Sequence, residues 1–393
     1  MILHHTTAFG STERWQRSAG RARDARRRIR AWLAGQRSAG LVLTGPAAVA
    51  WACGGLPPPV DRTAPVDLVW AIVTAGGGWL VTTNVEAERI RAEYDPAAHG
   101  FGDLAVVPWY SPADFVTAAA DLAGAPPGRL ASDGHPAFGA DASDDLVALR
   151  LALSPAEAAD LADLGGDAAR ALQSALAAWV PGERDLDVQA RCAAGLEAAG
   201  ADAPVLIVGG DDRLGRFRHP MAAGVPVRHQ IMAVAVARRH GLHVALTRFA
   251  ATPAAAAEHA GLRRKVLRIE SAVLRASAPG AAYGDVLDSL ARAYGAEHAI
   301  NGWTGHYQGG PIGFAQREFE IAPGQTGSRW YAEPIAPGHA VAWNPSLPGG
   351  AKCEDTYLVT AGGLSRVTTA PGWPTVVNDD WRPGRPALLE VGT

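Results

Sequence analysis

The sequence predicts a two-domain α/β protein, and three observations carry that expectation. A chain of 393 residues exceeds what one simple core organises. Short apolar runs bounded by turn residues alternate with stretches of helical period, the pattern of mixed α/β architecture. Near residue 150 that pattern breaks and restarts on a helix-start signal, which divides the chain into residues 1–152 and 153–393.

The first element expected is a helix. Arg14, Arg17, Arg21, Arg23, Arg26, Arg27, Arg28 and Arg30 crowd one short stretch, with Ile29, Trp32 and Leu33 among them. They read as the solvated face of an amphipathic helix, against a competing reading as a phosphate-binding patch. Apolar runs at residues 40–44, 67–73 and 79–82 predict strands, and Gly76-Gly77-Gly78 predicts the hairpin turn joining the last two. Residues 85–94 have helical period, and Pro57-Pro58-Pro59 fixes a loop over 54–62. In the second half, Ser154-Pro155-Ala156-Glu157 sets a capping serine, proline at the first helical position and glutamate at the third, a capping box opening a helix to about residue 180. A helix over 185–199, strands over 205–208, 230–236 and 242–248, and helices over 253–276 and 283–294 follow. Glycine-rich turns and short strands complete the chain.

Composition excludes several classes of partner. A formal net charge of -3 with 19% charged residues gives no footprint for nucleic acid or an anionic membrane. No apolar run is long enough to span a bilayer. Cys53, Cys192 and Cys353 are too few and too scattered for a disulfide framework or a zinc knuckle, and residues 1–10 lack the apolar core of a secretory signal. A cytoplasmic setting is therefore expected.

Several segments, in order and at fitting spacing, resemble the M24 family of creatinase, prolidase, aminopeptidase P and methionine aminopeptidase. They are Arg218-His219-Pro220; Gly241-Leu242-His243-Val244-Ala245-Leu246-Thr247-Arg248; His306 through Gly313 with Arg317-Glu318 beyond; Pro337-Gly338-His339 through Asn344-Pro345; and Lys352-Cys353-Glu354-Asp355 through Thr360. The resemblance implies a creatinase-type N-terminal α/β domain followed by a pita-bread domain, and a homodimer. It also locates the five ligand positions of the family's dinuclear metal centre. These fall on Val234, Ala245, Gly310, Asn344 and Glu354. Only Glu354 keeps a ligand type, and a catalytic metal site needs about three protein donors, so no metal and no other cofactor is expected. Asp211 and Asp212, the nearest alternative carboxylates, follow Gly209-Gly210 and are expected on a surface turn.

What the resemblance leaves in place is a set of candidate site residues. His219 and His306 match the family's outer histidines, each weighed against an ordinary interior role. His219, His306 and Glu354 are the candidate catalytic groups; Arg317, Asn344 and Lys352 are the candidate substrate-binding groups. Arg248 is expected in a structural ion pair. Trp303, Trp330 and Trp343 fit either cavity walls or core. Three functions remain open at this point. The chain acts as a metal-independent hydrolase or lyase on a small C–N compound with His219 as acid and base, as creatinase uses the matching histidine. It binds a peptide or small ligand without catalysis. Or it is a metal-dependent Xaa-Pro aminopeptidase whose ligands lie elsewhere.

Overall fold

The computed structural model describes residues 11–56, 59–378 and 381–392. They form two compact units, Met1–Asp160 with His240–Leu242, and Leu161–Arg239 with His243–Thr393. The expected boundary at 152/153 falls just ahead of the helix Pro155–Ala177, and the units divide inside that helix. The mixed α/β class is the class observed.

In the first unit, strands β1 (Gly40–Leu43), β2 (Val69–Thr74), β3 (Gly78–Thr83), β4 (Ala105–Val107), β5 (Leu130–Ser132) and β6 (Ala140–Asp141) build one six-stranded sheet of order β4-β3-β2-β1-β5-β6. β2 and β3 form the expected hairpin, closed by Thr74 N–H donating to Gly77 O at 3.0 Å. Val42, Trp70, Ile72 and Val81 from the sheet pack with Phe115 and Ala119 of the helix Ala113–Ala123.

The arginine-rich segment is the helix Thr12–Leu33, but its arginines do not all face solvent. Arg23, Arg27 and Arg30 are exposed, whereas Arg21 and Arg26 are buried. Arg21 donates to Gly54 O and pairs with Asp160, while Arg26 donates to His99 O and covers the Phe101 ring. Long guanidinium stems can reach carbonyls left open at turns, and periodicity along one helix does not reveal that.

The second unit contains β7 (Asp202–Gly210), β8 (Gln230–Arg239) and β9 (Leu242–Ala251), extended by the C-terminal strand Leu389–Glu390 parallel to β9. A further sheet joins β10 (Gly309–Pro311), β11 (Ala340–Trp343), β14 (Asp355–Thr360) and β15 (Gly363–Arg366) in that order, and β12 (Ser346–Leu347) with β13 (Ala351–Lys352) makes a small ribbon. β9 lies against β14. Ala245 N–H donates to Thr356 Oγ1 at 2.8 Å, Thr356 Oγ1 donates to Ala245 O at 2.9 Å, and Thr247 N–H donates to Glu354 O at 3.0 Å.

The helix from Pro155 opens with the expected capping box: Ser154 N–H donates to Glu157 Oε2 at 2.7 Å and Glu157 N–H to Ser154 Oγ at 3.3 Å. The single helix expected over 253–276 is two, Pro253–Glu258 and Ala260–Ala276, meeting at His259 beside the weak helix former Gly261. The second of these packs on Tyr283–Ala296.

Candidate functional site

His219 sits on the loop between β7 and β8, braced on both sides. Asp185, fully buried, accepts backbone N–H groups of Ala223, Gly224 and Val225 at 3.0, 2.7 and 3.2 Å. Asp211 accepts those of Arg228, His229 and Gln230 at 2.7, 2.8 and 3.0 Å. Asp211 lies in a turn, as expected, and there serves as a backbone clamp. A Cβ on Gly209 would stand 2.4 Å from Pro220 O, so only glycine admits the approach that seats the residue after His219.

The imidazole of His219 is largely exposed and lies 6.4 Å from that of His306, ring centre to ring centre and edge to face. Partial burial lowers its pKa from the ordinary value; the Lys352 charge lowers it further, Glu354 opposes, and Arg317 and Arg218 add to the lowering.

His306 is held at both ring nitrogens. Its Nδ1 lies 2.6 Å from Tyr307 O, which only an N–H can satisfy, and its Nε2 lies 2.6 Å from Ser346 Oγ. Ser346 Oγ in turn accepts from Arg218 Nη1 at 2.9 Å. A neutral imidazole completes the chain from Arg218 through Ser346 and His306 to Tyr307, with Ser346 Oγ donating to Nε2. Burial first, then the Lys352 charge, bring its pKa down to about 4. Tyr294 anchors the same corner, its hydroxyl accepting from Ser346 N–H at 2.9 Å and donating to Gln308 Oε1 at 2.9 Å.

Glu354 stands at the entry to β14. Its Oε2 accepts from Thr247 Oγ1 at 2.8 Å and lies 3.5 Å from Lys352 Nζ; its Oε1 accepts from Asn344 Nδ2 at 3.3 Å. The Lys352 and Glu354 side chains are 7% and 6% exposed, so the pair is enclosed. That contact fixes the Asn344 amide, because the reverse orientation would set a carbonyl oxygen against a carboxylate. Asn344 Oδ1 is then left buried without a hydrogen-bond partner among the described residues.

The structure therefore brings Asn344, Lys352 and Glu354 into contact, sets His219 beside His306, and places His219 within the fields of Lys352 and Glu354. Arg317 is farther out: 46% exposed, it pairs with Glu320 and covers the Tyr307 ring at 4.2 Å. Trp343 donates from Nε1 to Ser277 Oγ at 2.9 Å and is core, and Trp330 stacks on Phe319 at 4.5 Å. Arg218, Ser346 and Thr247 belong to the site and were not singled out from sequence. Arg218 and Thr247 had a signal, since both fall inside the family-like segments; Ser346 had none.

The donor set does not fit a dinuclear metal. Val234 lies in an apolar cluster with Ile207, Leu214, Met232 and Phe249. Ala245 offers no side-chain donor, and Gly310 is paired through its backbone to Ala342. Among the described residues, no group of three or more His, Cys, Asp and Glu side chains could hold a metal ion.

Three buried imidazoles give the fold an acid limit. His306 and His339 here, and His99 in the first unit, are each held down to about 4, burial being the first cause in all three. The unfolded chain protonates them near pH ~6.5, so unfolding takes up protons between these values. Their contribution is whole above about pH 6.5 and is lost as pH falls toward 4. Urea titrations are expected to show unfolding free energy declining across that window, with a shallower decline in His339→Gln. An unchanged slope in the variant would remove His339 from the account.

The architecture is that of the two-domain creatinase and pita-bread proteins. The structure resembles the prolidase of Pyrococcus horikoshii OT3 with a TM-score of 0.68 at 15% identity, over 88% of this chain and 98% of that one. It resembles the X-Pro aminopeptidase of Thermotoga maritima MSB8 with a TM-score of 0.68 at 14% identity, over 93% and 99%. Dipeptidase PepE of Mycobacterium ulcerans aligns with a TM-score of 0.64 at 19% identity, over 90% and 97%. No family model matches the sequence, and no curated protein does. Likeness at such identities establishes the fold alone.

Proposed function

We propose that the chain is a metal-independent hydrolase or lyase acting on a small C–N compound, with His219 as the proton-transfer group. The observation that carries this reading is the buried, unpartnered Asn344 Oδ1 beside Glu354. A buried acceptor without a partner costs free energy that a substrate N–H or cationic nitrogen would recover. Lys352 pairs with Glu354, and burial followed by the Lys352 charge lowers the pKa of His219, which favours its neutral form. In hydrolysis, neutral His219 takes a proton from water as the oxygen attacks the substrate carbon. The C–N bond breaks, and the imidazolium returns the proton to the leaving nitrogen. His306 holds Ser346 and Arg218 in place, and Arg317 meets a substrate carboxylate from the exposed side.

The structures it resembles include proteins described as prolidases and an X-Pro aminopeptidase, so amides of small amino-acid conjugates head the substrate class. A metal-dependent Xaa-Pro peptidase would need carboxylates at 234, 245 and 344 and an imidazole at 310, which this chain lacks. Non-catalytic binding is the second reading, favoured by one fact: both Glu354 oxygens already have partners.

The test is a screen of small amides, amidines and Xaa-Pro dipeptides with and without chelator, beside elemental analysis of desalted protein. Turnover that survives chelator, with far less than one equivalent of transition metal per chain, is expected. Two retained equivalents and chelator-sensitive turnover would overturn the proposal. Binding without turnover across the screen would favour the second reading.

A further inference from the structure

A cavity of about 360 Å³ opens between the helix Ala260–Ala276, the segment from Lys352 to Asp355 and the C-terminal segment. Leu267, Val376 and Leu388 give it apolar walls, and Arg263, Arg385 and Cys353 are among its polar lining groups. It shares Thr247, Lys352 and Glu354 with the candidate site, so the two adjoin along this segment.

Charge on these walls is unbalanced at one point. Asp355 is engaged by Arg248 at 2.9 Å and Thr368 Oγ1 at 2.6 Å, and Arg385 pairs with Glu270 and, at 3.4 Å, with Asp355. Arg263 has no carboxylate partner among the described residues. It donates from Nη2 to Gln230 Oε1 at 2.9 Å and covers the Phe249 ring at 4.5 Å, and its buried Nε has no acceptor. Arg385, 3% exposed, likewise leaves Nε and Nη1 without acceptors. Cys353 is half-buried as a residue with its thiol enclosed, and burial pushes the thiol well above its ordinary range, so no thiolate compensates Arg263. A desolvated guanidinium with open N–H groups at the wall of an apolar cavity is a site lacking its anion. The planar guanidinium fork suits a carboxylate, and the apolar walls require a ligand with a hydrocarbon body.

We propose that this cavity binds a small organic carboxylate, its carboxylate group received by Arg263 and Arg385 and its hydrocarbon body by Leu267, Val376 and Leu388. Arg263, Arg385, Leu267, Val376 and Leu388 take no part in the reaction assigned above.

Calorimetric titration of the full chain with octanoate, 1-octanol and inorganic phosphate tests it. Octanoate is expected to bind saturably, with octanol and phosphate each weaker by about tenfold or more. Arg263→Met is expected to weaken octanoate by about tenfold or more while the ligand-free variant unfolds at the same temperature or higher, since a buried unpaired cation has been removed. Leu267→Trp fills the cavity without touching either arginine and is expected to abolish octanoate binding in a folded protein. Equal affinity for octanoate and octanol would overturn the proposal, as would wild-type binding by either variant. A lower unfolding temperature in ligand-free Arg263→Met would also overturn it, by showing that Gln230 and Phe249 already satisfy the guanidinium.

Discussion

Arg248→Met is expected to cost about 3 kcal/mol of unfolding free energy, at the lower end of the roughly 3–5 kcal/mol for breaking a buried ion pair. Arg248 is fully enclosed on β9, where it donates to Asp355 Oδ1 at 2.9 Å, Thr368 O at 2.7 Å and Thr247 O at 2.8 Å. Its removal strips a carboxylate and two carbonyls of donors at the seam between two sheets. Thr368 Oγ1 still reaches Asp355 at 2.6 Å, and Arg385 reaches it at 3.4 Å, which keeps the loss from the upper end. Guanidinium chloride titration of both proteins measures it. Arg23→Met on the exposed face of the first helix is the control, expected within about 0.5 kcal/mol of wild type. A loss under about 1 kcal/mol for Arg248→Met would show that Arg385 and Thr368 alone satisfy Asp355.

His219→Ala is expected to lower turnover of whichever substrate the screen yields by about 10² to 10⁴, the usual cost of removing a general acid–base group. The ring is largely exposed, so the melting temperature is expected to stay near that of wild type. The pH profile carries a sharper expectation. The base form is the neutral imidazole, and burial and Lys352 lower its pKa. The acid limb of the rate profile should therefore lie below about pH 6.5. Lys352→Met removes the second of these causes and should move the limb upward, toward the ordinary histidine value. Wild-type turnover in His219→Ala would end the proposed role. An unmoved limb in Lys352→Met would show that the titrating group is not His219.

Much of the fold was legible because its signals are local. The capping box at Ser154, the glycine turn between β2 and β3, and the apolar runs of β8 and β9 each lie within a few consecutive residues. β4, β5 and β6 were missed because two or three residues make no periodic pattern, and their pairing is decided by neighbours distant in sequence. The same division holds at the site. His219, Asn344, Lys352 and Glu354 could be found through ordered motifs. Ser346 could not, since a serine is unremarkable until folding brings Arg218 and His306 to its hydroxyl. The clamping role of Asp211 was hidden for a related reason: its backbone partners lie 17 to 19 positions further on.

The apolar seat of Val234 sets the direction in which descendants of this sequence can change. An aspartate there would place an ionised group among Ile207, Met232 and Phe249 before any cation was available to it. Burial of that kind costs several kcal/mol, on the order of half the stability of an ordinary domain. The same holds for Ala245, enclosed on β9. Neither change alone reaches the roughly three donors that retain a catalytic ion. Every intermediate would be less stable than its parent and would gain no affinity in exchange. A lineage moving one substitution at a time thus meets a barrier on the road to a dinuclear centre, and selection finds a slope only among the polar groups already present around Glu354.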